Sequence, residues 1–164
     1  MKKLLFGMII LAATQCSKTS KNDKKDIADD TLACTEIGCT DGFQIALEPT
    51  ASWQAGKYKF TMTHDGSTTT CEGELPLKPC GTPSLTCTSD DFSIGESGCA
   101  LPAANQGFSE ISSINAYKSL EVQIAYEDAI VASKTFAFEY KEVFPNGPEC
   151  PGQCMQAPAQ SLSW

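Results

Sequence analysis

The sequence predicts an all-β fold: an antiparallel two-sheet sandwich, immunoglobulin-like or transthyretin-like, stapled by disulfides. Three observations predict it. Apolar residues between Leu32 and Trp164 recur with a period of two rather than 3.6, which turns one face of each segment inward and leaves the other in water. The nine prolines and twelve glycines fall mostly between these runs, and no long segment has helical spacing. Eight cysteines, at positions 34, 39, 71, 80, 87, 99, 150 and 154, are packed into the same 133 residues.

The elements follow in order. Phe43, Ile45 and Leu47 alternate with polar or small neighbours, as do Tyr58, Phe60 and Met62. Thr63-His64-Asp65-Gly66-Ser67 holds an Asp-Gly pair suited to positive backbone angles, so Lys57 to Thr63 and Thr68 to Leu75 are expected to form a hairpin. Short strands are expected near Leu85 to Ile94 and Phe108 to Ile114, although Phe108, Ile111 and Ile114 equally suit a helical turn. Leu120, Val122, Ile124 and Tyr126 form another alternating run. Ile130, Ala132, Phe136, Phe138 and Tyr140 share one parity, interrupted by Lys134, and Glu127-Asp128-Ala129 reverses the chain between these last two strands. Seven or so strands at such intervals describe a sandwich, expected as a single domain over residues 32–164.

Trp53-Gln-Ala-Gly-Lys-Tyr-Lys-Phe60 resembles the Gly-x-Tyr-x-hydrophobic strand opening of many such sandwiches, carboxypeptidase-regulatory and collagen-binding B-type repeats among them. The spacing of an antibody domain, cysteine-tryptophan-cysteine, is not present.

Residues 1–15 read as an export signal. Lys2 and Lys3 precede Leu4 to Thr14, eleven mostly apolar residues that at about 1.5 Å each cannot cross a hydrocarbon core about 30 Å thick. Nine cysteines are an odd number, so an exported chain that pairs eight leaves one over, and Cys16 closes the signal. Ala13-Thr14-Gln15-Cys16 resembles the box of a bacterial lipoprotein signal, with Gln15 where a small residue is usual. That resemblance implies a diacylglyceryl thioether on Cys16, a membrane held through lipid chains, and, since Ser17 is not an aspartate, the outer membrane. Residues 16–31 carry four lysines and four aspartates and no aromatic, the composition of a solvated tether. The ending Phe144-Pro-Asn-Gly-Pro-Glu-Cys-Pro-Gly-Gln-Cys154 resembles a group of cysteine-rich bacterial envelope lipoproteins with a similar Pro-Asn-Gly-Pro-x-Cys-x-x-x-Cys segment. The resemblance implies location and fold, not an activity.

In an oxidising compartment the eight cysteines are expected as disulfides. Local spacing favours Cys34 with Cys39 and, across a Pro-Gly turn, Cys150 with Cys154, while pairing among Cys71, Cys80, Cys87 and Cys99 stays open. A four-sulfur zinc site made of the two local pairs is the alternative.

Between Leu32 and Trp164 six lysines face sixteen carboxylates, the whole chain has formal net charge −8, and arginine is absent. Such a surface repels phosphate backbones and offers no bidentate guanidinium, which argues against nucleic-acid partners and phosphoryl transfer. The one histidine, His64, sits beside Asp65 at the expected hairpin tip and reads as a solvated turn residue rather than a triad base. Asp90-Asp91, Glu72 with Glu74, and Glu139 with Glu142 are candidate carboxylate pairs for calcium or glycoside hydrolysis, against the simpler reading that they face water. Trp53 and Trp164 flank the domain; an exposed indole stacks on a sugar or docks a protein, whereas a packed one plugs the end of the sandwich. The expectation is a non-catalytic binding or structural module for protein or polysaccharide at the cell envelope, without cofactor, with Trp53 as candidate binding residue. The alternative is a secreted hydrolase that uses carboxylates or a metal.

Overall fold

The computed structural model describes residues 34–164, and the signal expected over residues 1–15, Cys16 and the tether expected over residues 16–31 lie outside the described residues. Eleven strands follow in order: β1 (Phe43–Glu48), β2 (Gly56–His64), β3 (Ser67–Leu75), β4 (Leu85–Cys87), β5 (Ser93–Ser97), β6 (Gly107–Ser113), β7 (Ser119–Tyr126), β8 (Ala129–Ala137), β9 (Lys141–Val143), β10 (Cys154–Gln156) and β11 (Gln160–Ser163). Phe108 to Ser113 is therefore strand, not helical turn; among the described residues the one helical element is a single 3-10 turn, Ala103–Asn105.

One sheet has the order β11-β1-β6-β5, the other β4-β3-β2-β7-β8, and β9 pairs with β10 in a two-stranded ribbon. The inward faces meet in one core. Ile45, Phe108 and Ile111 from the first sheet oppose Phe60, Met62, Leu120, Val122, Ile124 and Phe136 from the second, all 2% exposed or less. Phe60 and Phe108 touch edge to face across the gap, with ring centroids 5.0 Å apart, and Phe43 stacks on Phe138 at 4.3 Å. Period-two alternation is thus the physical cause of the two-layer fold.

The hairpin β2–β3 turns on Asp65 and Gly66, both at positive φ, with His64 opposite Ser67. The β7–β8 hairpin turns on Glu127 and Asp128, also at positive φ and without glycine. Side-chain-tolerant left-handed residues cost energy there, and Glu127 recovers some of it. Its N–H donates to the Lys57 carbonyl at 3.0 Å and its Oε1 accepts from the Lys57 N–H at 2.8 Å, which extends the β2 ladder around the corner.

One pairing departs from an antiparallel sandwich. β11 runs parallel to β1, with Ile45 paired to Gln160 and Leu47 to Leu162. The parallel strip begins earlier, where Gly42 donates to the Met155 carbonyl and accepts from the Ala157 N–H, both at 2.9 Å. Gly42 holds φ 109°, and a Cβ there would run into the Ser113 backbone; no other residue fits both the angle and the space.

The parallel strip corrects the expected cysteine pairing. The bridges are Cys34–Cys150, Cys39–Cys154, Cys71–Cys87 and Cys80–Cys99, not the local Cys34–Cys39 and Cys150–Cys154. Cys39 and Cys154 are 115 residues apart, the same offset that relates Ile45 to Gln160. The first two bridges therefore run in the same parallel sense as the β1–β11 pairing, Cys34 and Cys39 in order against Cys150 and Cys154, and join segments far apart in the sequence. Asn146, from the Pro-Asn-Gly-Pro stretch, adds a side-chain rung: its Oδ1 accepts from the Ile37 N–H at 2.9 Å and its Nδ2 donates to the Ile37 carbonyl at 3.1 Å. With the same four sulfurs joined in pairs, no thiolate remains among them for zinc.

Cys71 and Cys87 face each other directly across β3 and β4. Cys80–Cys99 joins the β3–β4 connection to the segment after β5, and Glu96 of β5 accepts from the Ser84 and Leu85 N–H groups. Both close the side of the sandwich between β4 and β5. On the opposite side, between β8 and β11, Lys134 donates to the Ser161 carbonyl and Gln160 to the Ala137 carbonyl, each at 2.9 Å.

Lys134 explains the break in the β8 pattern. It sits on the inward parity of an edge strand, its ammonium 4.7 Å from the Phe136 ring centre, and an inward-pointing lysine is a common device against edge-to-edge aggregation. A bulge at Ile124/Ala125 shifts the register with β8 just before it, so Ile130 leaves the expected inward parity and is 64% exposed.

Candidate functional site

The sandwich has two ends. At one, the proximal end, the chain leads in through Cys34 and Cys39 to the start of β1. At the other, the distal end, β1 and β11 finish, β2 begins and β7 turns into β8. The distal end gathers four aromatic side chains. Trp53 lies in the connection from β1 to β2, Tyr58 near the start of β2, Tyr126 at the end of β7 and Trp164 just past β11.

Their meeting follows from the parallel pairing of β1 with β11. The Thr50 N–H donates to the Trp164 carbonyl at 2.6 Å, which holds the last residue against the loop that carries Trp53. The two indoles, 111 positions apart in the chain, lie edge to face at 5.3 Å. Trp53 packs edge to face on Tyr58 at 5.0 Å and on Phe108 at 5.2 Å, and Tyr58 meets Tyr126 at 5.0 Å. Gly107 makes room for this, since a Cβ there would strike the Trp53 indole.

Trp53, the candidate binding residue, is thus half-buried and does plug the end of the sandwich. Its cluster also forms one wall of a shallow cleft of about 220 Å³, lined by Pro49, Trp53, Tyr58, Tyr126, Val131 and Trp164 with the 50–52 and Gln54 loop. Both phenols are tied down. The Tyr58 hydroxyl donates to the Gln54 carbonyl at 3.1 Å and accepts from the Gln54 N–H at 3.0 Å, and Tyr126 donates to the Ala55 carbonyl at 2.8 Å. Burial pushes the Tyr58 phenol above its ordinary value of 10.0; the Gln54 bond opposes this, and the nearby Tyr126 and Glu127 add to it.

No lysine lines the cleft. Three of the lysines, Lys57, Lys59 and Lys78, lie instead on the outer face of the second sheet with Glu72 and Glu74, where Lys59 is 3.5 Å from Glu72. Glu72 and Glu74 are exposed on that face, as are Glu139 and Glu142 around β9. Asp90 and Asp91 fall elsewhere, in a proximal groove of about 450 Å³ that also takes Asp41 and Glu110. Asp91 there accepts from Ser89 and, at 3.4 Å, from Asn115, while Gln44 donates to Glu110. Among the described residues no three of His, Cys, Asp and Glu are grouped to hold a metal ion.

His64 is corrected from solvated turn residue to packed strand residue. The turn proper is Asp65-Gly66, so His64 is the last residue of β2 and keeps the inward parity of Tyr58, Phe60 and Met62. Its ring lies 4.0 Å from that of Tyr117 and 5.6 Å from that of Phe92, its side chain is 12% exposed, and Asp65 is 4.0 Å away. No nucleophile or second carboxylate is bonded to it, and neither ring nitrogen has a hydrogen-bond partner.

The geometry defines a class, a disulfide-stapled β-sandwich with an aromatic cleft at one end. Comparison with family models, with curated proteins and with solved structures returns no match for this chain. Tyr58, Tyr126 and Gly107 were not singled out as site residues from sequence. Tyr58, as the tyrosine of the Gly-x-Tyr-x-hydrophobic opening, and Tyr126, at a strand end next to an acidic turn, carried a readable signal; Gly107 did not.

Proposed function

We propose that the protein is a non-catalytic binding module anchored at the cell envelope, whose distal aromatic end recognises a protein or polysaccharide. The observation that carries this reading is the meeting of Trp53 and Trp164 beside Tyr126, at the end of the sandwich opposite the incoming chain. Aromatic rings with an open side bind sugar faces or partner side chains by stacking and burial.

The anchor reading is supported by cysteine parity. All eight cysteines between 34 and 154 are bonded to one another, so of nine in the chain Cys16 is the one without a partner in the domain. We assign to it the thioether lipid of an envelope lipoprotein, with the outer membrane as its location. Attachment through two or three acyl chains is durable where one is marginal.

Two measurements test the proposal. Intact mass of the mature protein, native and reduced, is expected to show a lipid-modified N-terminus and a gain of eight hydrogens on reduction; an unmodified Cys16 overturns the anchor. Retention of isolated envelope polysaccharide and envelope protein fractions on immobilised protein is expected to fall at least several-fold in Trp164→Ala; unchanged retention overturns the aromatic end as the binding face.

A second reading, a hydrolase that uses carboxylates or a metal, draws on the proximal groove that brings Asp41, Asp90, Asp91 and Glu110 together. Stoichiometric calcium or zinc in purified protein would favour it.

A further inference from the structure

We propose that the distal cleft binds an organic cation, specifically a quaternary ammonium group presented without an adjacent phosphate. The proposal rests on the aromatic end being the binding face, and names the chemistry that this face selects.

Three observations converge. The first is the lining. Trp53, Tyr58, Tyr126 and Trp164 present aromatic rings in several orientations, with interplanar angles of 75° between Trp53 and Tyr58, 39° between Tyr58 and Tyr126, and 74° between the two indoles. Rings set at angles around a small space offer their negative faces from more than one side, the arrangement that holds a methylated ammonium. A cleft of about 220 Å³ is small for a drug-sized ligand but ample for one such head group.

The second is local charge. The Glu127-Asp128 turn follows Tyr126 and lies in the adjoining groove on the outer face of the second sheet, where the Lys57 N–H fixes the Glu127 carboxylate. A Cβ on Gly56 would touch both the Glu127 carboxylate and the Tyr126 ring, which places the acid against the aromatic wall. Glu48, at the end of β1, is hydrogen-bonded to Ser163, the neighbour of Trp164. Neither acid lines the cleft; each lies next to one of its walls, Glu127 at Tyr126 and Glu48 near Trp164, and acts on a bound cation through space.

The third is what does not compete. No lysine lines the cleft, and with no arginine in the chain no guanidinium can occupy the rings from within. Both phenols are already bonded to backbone at Gln54 and Ala55, which leaves the side chains of Thr50, Ser52 and Gln54 as the polar groups of the lining. A formal net charge of −8 draws cations toward the surface and repels anions. That repulsion selects against phosphocholine.

The test is tryptophan fluorescence of the purified chain, titrated with four probes. These are choline; 3,3-dimethylbutan-1-ol, which has the same shape without the charge; phosphocholine; and cellobiose. Choline is expected to give a saturable change, with the uncharged isostere and phosphocholine each at least about tenfold weaker. Trp164→Leu is expected to abolish the choline response. Glu127→Gln, which keeps the acceptor for Lys57 and removes the charge, is expected to weaken choline several-fold while far-UV circular dichroism stays unchanged.

Equal binding of the isostere would reduce the cleft to an apolar dent and overturn the proposal. So would tighter binding of phosphocholine, no saturable response to choline, or an undiminished response in Glu127→Gln. If envelope fractions are retained in a Trp164-dependent way but choline does not bind, the binding-module reading stands and this inference falls. If neither occurs, both fall.

Discussion

The two bridges that fasten the N-terminal lead to the C-terminal segment are expected to be strongly non-additive. Cys34–Cys150 and Cys39–Cys154 close almost the same loop, with separations of 116 and 115 residues. In the chain-entropy description a bridge stabilises by restricting the unfolded chain, and a loop on the order of 100 residues is worth about 4.7 kcal/mol. Once either bridge is formed, the other encloses only the stretch from 34 to 39 and that from 150 to 154. A loop of about nine residues is worth about 2.6 kcal/mol by the same relation. Replacing either pair by serine should therefore cost about 2.6 kcal/mol, and replacing both should cost about 7 kcal/mol rather than twice the single value. Denaturant titration of the two double-serine variants and the quadruple variant measures this, and the slope m should rise most in the quadruple variant because its unfolded chain is the least constrained. If the quadruple cost equals the sum of the two single-bridge costs, the bridges do not share a loop and the shared-loop reasoning is wrong.

Gly107→Ala puts a methyl into the Trp53 indole and is expected to destabilise by about 1–3 kcal/mol, read by thermal or chemical unfolding, with a changed tryptophan emission spectrum as the sign that Trp53 has moved. Gln106, 8% exposed, accepts from the Leu77 N–H at 2.6 Å and donates to the Leu101 carbonyl at 2.8 Å, so Gln106→Ala, which leaves the Leu77 N–H unpaired in the interior, should cost about 1–3 kcal/mol in the same assay. Tyr58 has a raised phenol pKa; its unfolded counterpart ionises first, so its contribution to stability is full below pH 10.0 and falls as pH climbs from there toward the raised folded value. Absorbance titration of the phenols should show late ionisation of both Tyr58 and Tyr140, whose phenol pKa burial also raises, and Tyr58→Phe should remove one of the two. Lys134→Ile is expected to change folding stability by no more than about 1 kcal/mol yet raise self-association, seen by light scattering during refolding, because the inward charge that guards the β8 edge is gone.

How much of this was readable in advance depended on how local the cause was. The β2–β3 hairpin was legible because Asp65-Gly66 supplies both left-handed residues within the turn itself. The β7–β8 hairpin was legible from alternation on either side, although Glu127 owes part of its conformation to Lys57, 70 residues away. His64 was misread from its proximity to the turn, yet its parity with Met62 already marked it as inward. The carboxylate pairs read as neighbours in sequence lie apart, on the outer face of the second sheet, around β9 and in the proximal groove, and that groove draws Asp41 and Glu110 from other elements. The site residues that matter most, Trp53 and Trp164, were visible only as two separate indoles.

The alternating pattern by itself determined that this chain forms two facing sheets, because period-two burial is a property of each strand alone and holds whatever the strand pairs with. That Cys34 and Cys39 meet Cys150 and Cys154, and that Trp53 and Trp164 close over one cleft, was decided by a single tertiary event: β11 laying itself parallel to β1 at an offset of 115 residues. Register between distant strands depends on the summed packing of both sheets, and no local stretch of sequence contains that sum.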